Sequence, residues 1–163
     1  MTVSVPAPIR RDLHRLVESE TLGMAFFGTA AKHASSDAHR DAWRALTELE
    51  VRTNDGVQAF LSRTAVDLAP TQKLATAAGT TAGLGVRMLP DALSWRLLRQ
   101  GTGRYLPAFK RLAHHYAGTP EQAFFDYVVK HELAIIDAAE HAMRGDVRGL
   151  GAVHRLLNAP VPQ

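Results

Sequence analysis

Cysteine is absent from the 163 residues. That excludes a disulfide framework, thiolate metal sites and a cysteine nucleophile, and it fits a reducing compartment. Long apolar runs are missing too: the longest uncharged stretch, residues 74–86, is rich in Ala, Gly and Thr and falls well short of the ~20 residues that span a bilayer. The amino terminus lacks a charged start followed by an apolar run, so no signal peptide is expected, and the sequence predicts a cytoplasmic protein. Net charge is only +3, with a pI of 9.6, too weak a balance to argue for nucleic acid. Neither a Gly-rich phosphate loop, a nucleophile elbow nor a zinc spacing occurs. No repeat or low-complexity segment is present.

Helical periodicity is what the chain does have. Over residues 10–33, Leu13, Val17, Glu20, Met24, Phe27 and Ala31 form one stripe. Residues 34–37 offer a stop and then a capping residue, so the next helix, 37–64, should run antiparallel to the first. Its stripe is Trp43, Leu46, Glu50, Thr53, Val57 and Phe60. A third helix over 71–89, starting at Pro70 or Thr71, carries a small-residue face. There, Gly79 and Gly83 have the spacing of a close helix crossing, or of room kept free for an apolar ligand. Residues 91–116 form a basic amphipathic segment that Gly101, Gly103 and Pro107 should divide or kink. Thr119 and Pro120 restart the chain as N-cap and first helical residue of a helix to about Arg144. A short segment over 147–157 follows. The whole reads as a single domain, 1–163, with 1–9 and 159–163 as flexible arms.

Polar residues stand at core positions on three of these helices: Glu20, Glu50, and the pair His131 and Glu132. A buried carboxylate without a partner is costly enough that it pairs, binds a metal or takes up a proton. Glu20 in SETLGMAFF, Glu50 in WRALTELEVRT, the small-residue helix AGTTAGLG and the helix around KHELAIIDAAEH together resemble the ferritin-like superfamily, in its rubrerythrin-type and demethoxyubiquinone-hydroxylase-type bundles. The resemblance covers residues 10–145. It implies an all-α, antiparallel four-helix bundle, here with an extra helix inserted before the last long helix. It also implies two metal ions held by a Glu from each of two helices and a Glu-x-x-His from each of the others. Residue by residue, Glu20 matches the lone Glu of the first helix, Glu50 opens the motif of the second, and Glu132 opens the motif of the last. Thr53 and Ile135 stand where the two histidines belong, and helix 71–89 has no acid. His131 points about 100° away from Glu132 and does not simply replace a missing ligand.

Several readings stay open at this stage. Glu20, Glu50 and Glu132, with His131 as a further donor, would hold a single metal, Fe or Mn by the hardness of oxygen ligands. Without metal, crowded carboxylates share protons, and Glu20, Glu50, Glu132 and His131 become an acid/base set. Such a set serves an isomerase, cyclase or dehydratase on a small apolar molecule. In either case Thr53, Thr81, Met24 and Phe27 are the candidate substrate contacts. A metal-dependent oxidoreductase is a third option, and a hydrogen-bonded polar network without turnover a fourth. The competing class is a non-enzymatic protein, monomer or homodimer, that binds a membrane surface or a protein through residues 92–116.

Overall fold

The computed structural model describes residues 5–66, 68, 72–86 and 89–163. Among them are six helices and no strand: α1 (Ala7–Lys32), α2 (Asp37–Thr64), α3 (Gln72–Val86), α4 (Asp91–His115), α5 (Gln122–Met143) and α6 (Gly151–Leu157). The fold is an all-α bundle, as the periodicity predicts. The expected start of α3 at Pro70 or Thr71 lies outside the described residues. No helix among the described residues is long and apolar enough to cross a membrane.

Local chemistry explains most of the boundaries. Helix α1 begins earlier than the periodicity suggests, because Pro8 falls in its first turn, where a missing N–H costs nothing. The Ser36 hydroxyl accepts from the His39 backbone N–H and caps α2. Helix α5 starts two residues later than expected, at Gln122. The Thr119 hydroxyl instead accepts from the Glu121 N–H and donates to the Tyr116 carbonyl, closing the preceding turn. Helix α4 is continuous through Gly101, Gly103 and Pro107. Buried Trp95 and Leu98 on one side of that stretch, and Ala108, Phe109 and Leu112 on the other, hold it against the core.

Those buried residues give α4 a larger place than the sequence suggests. It packs against α1 and α5, whereas α3 packs on α1. Pairs such as Gly28 with Thr47, Asp12 with Arg111, Arg99 with Glu140 and Thr53 with Tyr127 fix the directions. The neighbours α1/α2, α1/α4, α4/α5 and α2/α5 are all antiparallel. Helix α3 runs parallel to α1, with Gly79 against the Leu22 carbonyl and Gly83 against the Phe26 carbonyl and Thr29. A side chain at either glycine would push the helices apart, so the small-residue stripe is a close crossing. The carboxy-terminal tail is laid along α2. Arg52 donates to the Leu157 and Ala159 carbonyls, and a Cβ on Gly56 would meet Val161 at 2.9 Å.

The apolar interior falls into two clusters. One, around Phe27, Trp43, Leu46, Trp95 and Ile135, has Trp43 and Trp95 stacked at 3.9 Å. The other gathers Leu13, Leu16, Phe60, Phe109, Phe124 and Phe125. Along every core helix the changeover is a polar residue: Glu20 on α1, Glu50 and Thr53 on α2, Thr102 on α4, His131 and Glu132 on α5, all buried. The bundle therefore has a polar layer between two apolar ones.

Candidate functional site

In that layer three side chains from three helices converge. One donor atom from each of Glu20, Glu50 and His131 lies within 4.8 Å of the others. Glu20 and His131 are 0% exposed and Glu50 is 4% exposed. The imidazole stands between the acids: Nδ1 is 3.8 Å from Glu20 Oε1, and Nε2 is 3.6 Å from Glu50 Oε2. Glu132 Oε2 is 3.8 Å from the same Nδ1. All of these are longer than a hydrogen bond. Both Glu20 oxygens, Glu50 Oε2 and both His131 nitrogens have no hydrogen-bond partner. Among the described residues the one other such buried side-chain atom is Trp95 Nε1.

Among the described residues no cationic side chain is a cause of the shifts of the three acids. Burial and the charges of Glu20 and Glu132 push the Glu50 carboxyl well above the usual range, and burial with the charge of Glu20 does the same to Glu132. Burial pushes Glu20 up to about 8, and the proton that Glu50 retains moderates the rise. That proton acts at short range, although neither Glu20 oxygen meets a donor in good hydrogen-bond geometry. Burial alone holds His131 down to about 3. At neutral pH the layer therefore combines a neutral imidazole with carboxyls that keep their protons, Glu20 being the first to lose its own as pH rises towards 8.

A cavity of about 910 Å³ reaches this layer from the surface between α1, α3 and α4. Glu50, Glu132 and Thr102 line it, with Leu22, Phe26, Phe27, Leu97, Leu98 and Ile135 making most of the wall. Its size is that of a small-molecule site.

The structure brings together Glu20, Glu50 and His131, with Glu132 touching the imidazole. For the metal set this replaces Glu132 by His131. The α5 face is wide enough to bury both neighbours, and the row Val128, His131, Ile135 is the one aimed at the bundle axis. Of the candidate substrate contacts, Phe27 lines the cavity. Thr81 does not: it is exposed on α3, whose inward positions are the two glycines. Met24 is half-buried and outside the lining. Thr53 is buried but occupied, donating to the Leu49 carbonyl and sharing a 3.1 Å hydrogen bond with Tyr127 Oη. Thr102 and Tyr127 carry no sequence signal of their own; only the packing of α4 and α5 places them beside the layer. Gly23 had a signal, a glycine on the core stripe one turn after Glu20, and its role is to make room for Glu50.

Comparison of the chain with protein-family models, with curated proteins and with solved structures finds no match. The functional reading therefore rests on this geometry.

Proposed function

We propose that Glu20, Glu50 and His131 hold a single divalent cation, and that the chain is an enzyme acting on an apolar molecule admitted through the cavity. The observation that carries this is the set of five buried, unpartnered N and O atoms on three converging side chains. Separations of 3.6 and 3.8 Å are too long for hydrogen bonds. They involve opposite nitrogens of the ring, of which a single cation takes one; one ligand atom from each of Glu20, Glu50 and His131 lies within 4.8 Å of the other two, close to the roughly 3 to 4 Å that bonds of about 2.1 Å give neighbouring donors. One imidazole and two carboxylates favour Fe or Mn. Such an ion, when bound, supplies Lewis acidity or a redox couple.

The protein's own groups do the rest. His131 is already neutral and Glu20 ionises most readily of the acids, so those two are ready donors, while Glu50 must release its proton to join them. Glu132, protonated beside the cavity, can donate a proton to a molecule lying there. The apolar walls exclude water from that contact and orient the chain of the substrate. A two-metal centre does not fit, because α4 presents Thr102 at this level and α2 presents Thr53, and neither offers a carboxylate or imidazole.

The order of the helices supports the ferritin-like resemblance. Two antiparallel hairpins, α1/α2 and α4/α5, are joined by one long connection that carries α3, the arrangement of bundles with a single crossover.

Favouring a second reading, His131 faces Glu20 through one nitrogen and Glu50 through the other. A proton could pass from Glu50 through the ring to Glu20, giving metal-free acid/base catalysis. Elemental analysis of protein purified without chelator decides between them. Stoichiometric Fe or Mn that restores thermal stability after depletion is expected; metal-free protein with no thermal shift on adding Fe(II), Mn(II) or Zn(II) would overturn the metal reading.

A further inference from the structure

Two glycines on the cavity wall have no structural reason to be glycine. Gly23, Gly56, Gly79 and Gly83 are each explained by an atom that a Cβ would strike. Gly85 and Gly101 line the cavity, and a Cβ at either meets nothing within 4 Å. Gly101, in the middle of α4, costs its helix about 1 kcal/mol relative to Ala, with no packing in return. The effect of the two glycines is to keep the cavity wide where α3 and α4 face each other. Glu50, 4% exposed and with its Oε2 buried and unpartnered, marks its inner wall.

The cavity is also elongated and polarised. Its α1 wall runs from Arg15 to Phe27, about 18 Å at the helical rise per residue. One end holds Arg15, Glu18, Arg104 and Tyr105; the other is lined by Phe26, Phe27 and Leu98. Arg15 and Arg104 both act on the Tyr105 phenol against Glu18 and Glu132, so that end is a small charged cluster with one cation in excess of Glu18. Arg15 is shared with Asp12 at 3.2 Å, while Arg104 forms no ion pair among the described residues. An anionic group fits beside Arg104, and the middle of the cavity offers it no cationic side chain among the lining residues.

We propose that the cavity holds one elongated apolar molecule with a single anionic head group, carboxylate or phosphate, its head at Arg104 and Arg15 and its chain running past Glu132 and Glu50 to Phe26 and Phe27. This rests on the cavity as the substrate's site and needs no cation.

The test uses chelator-treated full-length protein and cis-parinaric acid, a fluorescent straight-chain carboxylate, with its methyl ester as the uncharged arm. The acid should bind saturably, one per chain. Arg104→Ala should weaken the acid about fivefold, the value of one exposed charge pair, and leave the ester unchanged. Gly101→Leu should abolish binding of both. Gly103→Leu, equally free of contacts but off the cavity, should bind like the parent and show that a leucine in this part of α4 is tolerated. Displacement by palmitate or by farnesyl monophosphate then assigns the head group as carboxylate or phosphate. No saturable binding of the acid, equal binding by Gly101→Leu and parent, or an Arg104→Ala effect on acid and ester alike would overturn the proposal. Because metal is absent throughout, failure here is separable from failure of the cation site.

Discussion

A Cβ on Gly23 would lie 2.5 Å from Oε1 of Glu50 and 2.6 Å from its carboxyl carbon. Helix α1 is bare where α2 delivers its acid. Replacing a mid-helix Gly by Ala ordinarily gains about 0.5–1 kcal/mol, and Gly103→Ala, with open space around it, should show that gain. Gly23→Ala should lose about 1–3 kcal/mol instead, the range for overpacking, and should displace Glu50. Urea unfolding of both variants, with metal content measured alongside, checks this. A stabilised Gly23→Ala would show that Glu50 has another place to go.

Glu50→Gln tests whether the carboxylate is a burden in the metal-free protein. Every cause acting on Glu50 opposes its ionised form, so an amide of the same shape should leave metal-depleted stability unchanged or raise it by up to about 3 kcal/mol. The same substitution should abolish the stabilisation produced by added Fe(II) or Mn(II). Thermal unfolding with and without metal reads both effects, and a large loss in the depleted state would mean that Glu50 is structurally paired.

Much of this was legible in the residues. The stripes Leu13, Val17, Glu20 and Trp43, Leu46, Glu50, Thr53 are buried as their spacing predicts, because helical periodicity is a local property. The neighbours His131 and Glu132 were harder. Both lie on a face wide enough to be buried, and only the position of α1 and α2 across the bundle decides which one reaches Glu20 and Glu50. Helix α4 was legible only in part for a related reason. Its amphipathic pattern puts the aromatics inside, and Trp95 and Phe109 do fill the core, but nothing in that pattern shows that Arg111 reaches buried Asp12 with two 2.8 Å hydrogen bonds or that Arg99 pairs with Glu140. Such partners are distant in sequence and have no periodic signature. The cavity was invisible for the same reason, since it is a gap between helices and belongs to no single stretch.

The metal-depleted protein should lose stability as pH rises from about 6.5 to 8. Over that interval the folded state keeps protons on Glu50 and Glu132, and on Glu20 up to about 8, whereas the unfolded chain has released them above about 4.5. The folded state binds more protons, so the unfolding free energy falls with pH. Below 6.5 His131 acts the other way: held down to about 3 when folded, it takes up a proton only on unfolding, and that contribution is lost as pH falls. Asp12, lowered chiefly by its hydrogen bond to Arg111, adds a further loss below its ordinary 3.8. Denaturant titrations at pH 6.5 and 8 should show the decline in the parent and a smaller one in Glu20→Gln. Metal affinity should rise across the same interval, because binding displaces protons. A parent protein equally stable at both values would contradict the shifts assigned to the three acids.

His131 and Glu132 can be told apart directly. His131 Nε2 faces Glu50, and its ring sits among the three converging donors, whereas Glu132 reaches only the imidazole and the cavity. His131→Gln should therefore lose bound metal, with affinity falling at least about tenfold, the smaller end of what removing a partner of a ligand costs. Glu132→Gln should retain stoichiometric metal, since an amide preserves the side chain's shape and the group carries a proton at neutral pH in any case. Its effect should appear in turnover, because the cavity then lacks the carboxyl that donates to the bound molecule. Metal analysis of the two variants, followed by assay of Glu132→Gln in the loaded form, separates ligand from proton donor. Loss of metal from Glu132→Gln with retention in His131→Gln would reverse the two roles and return the site to three carboxylates.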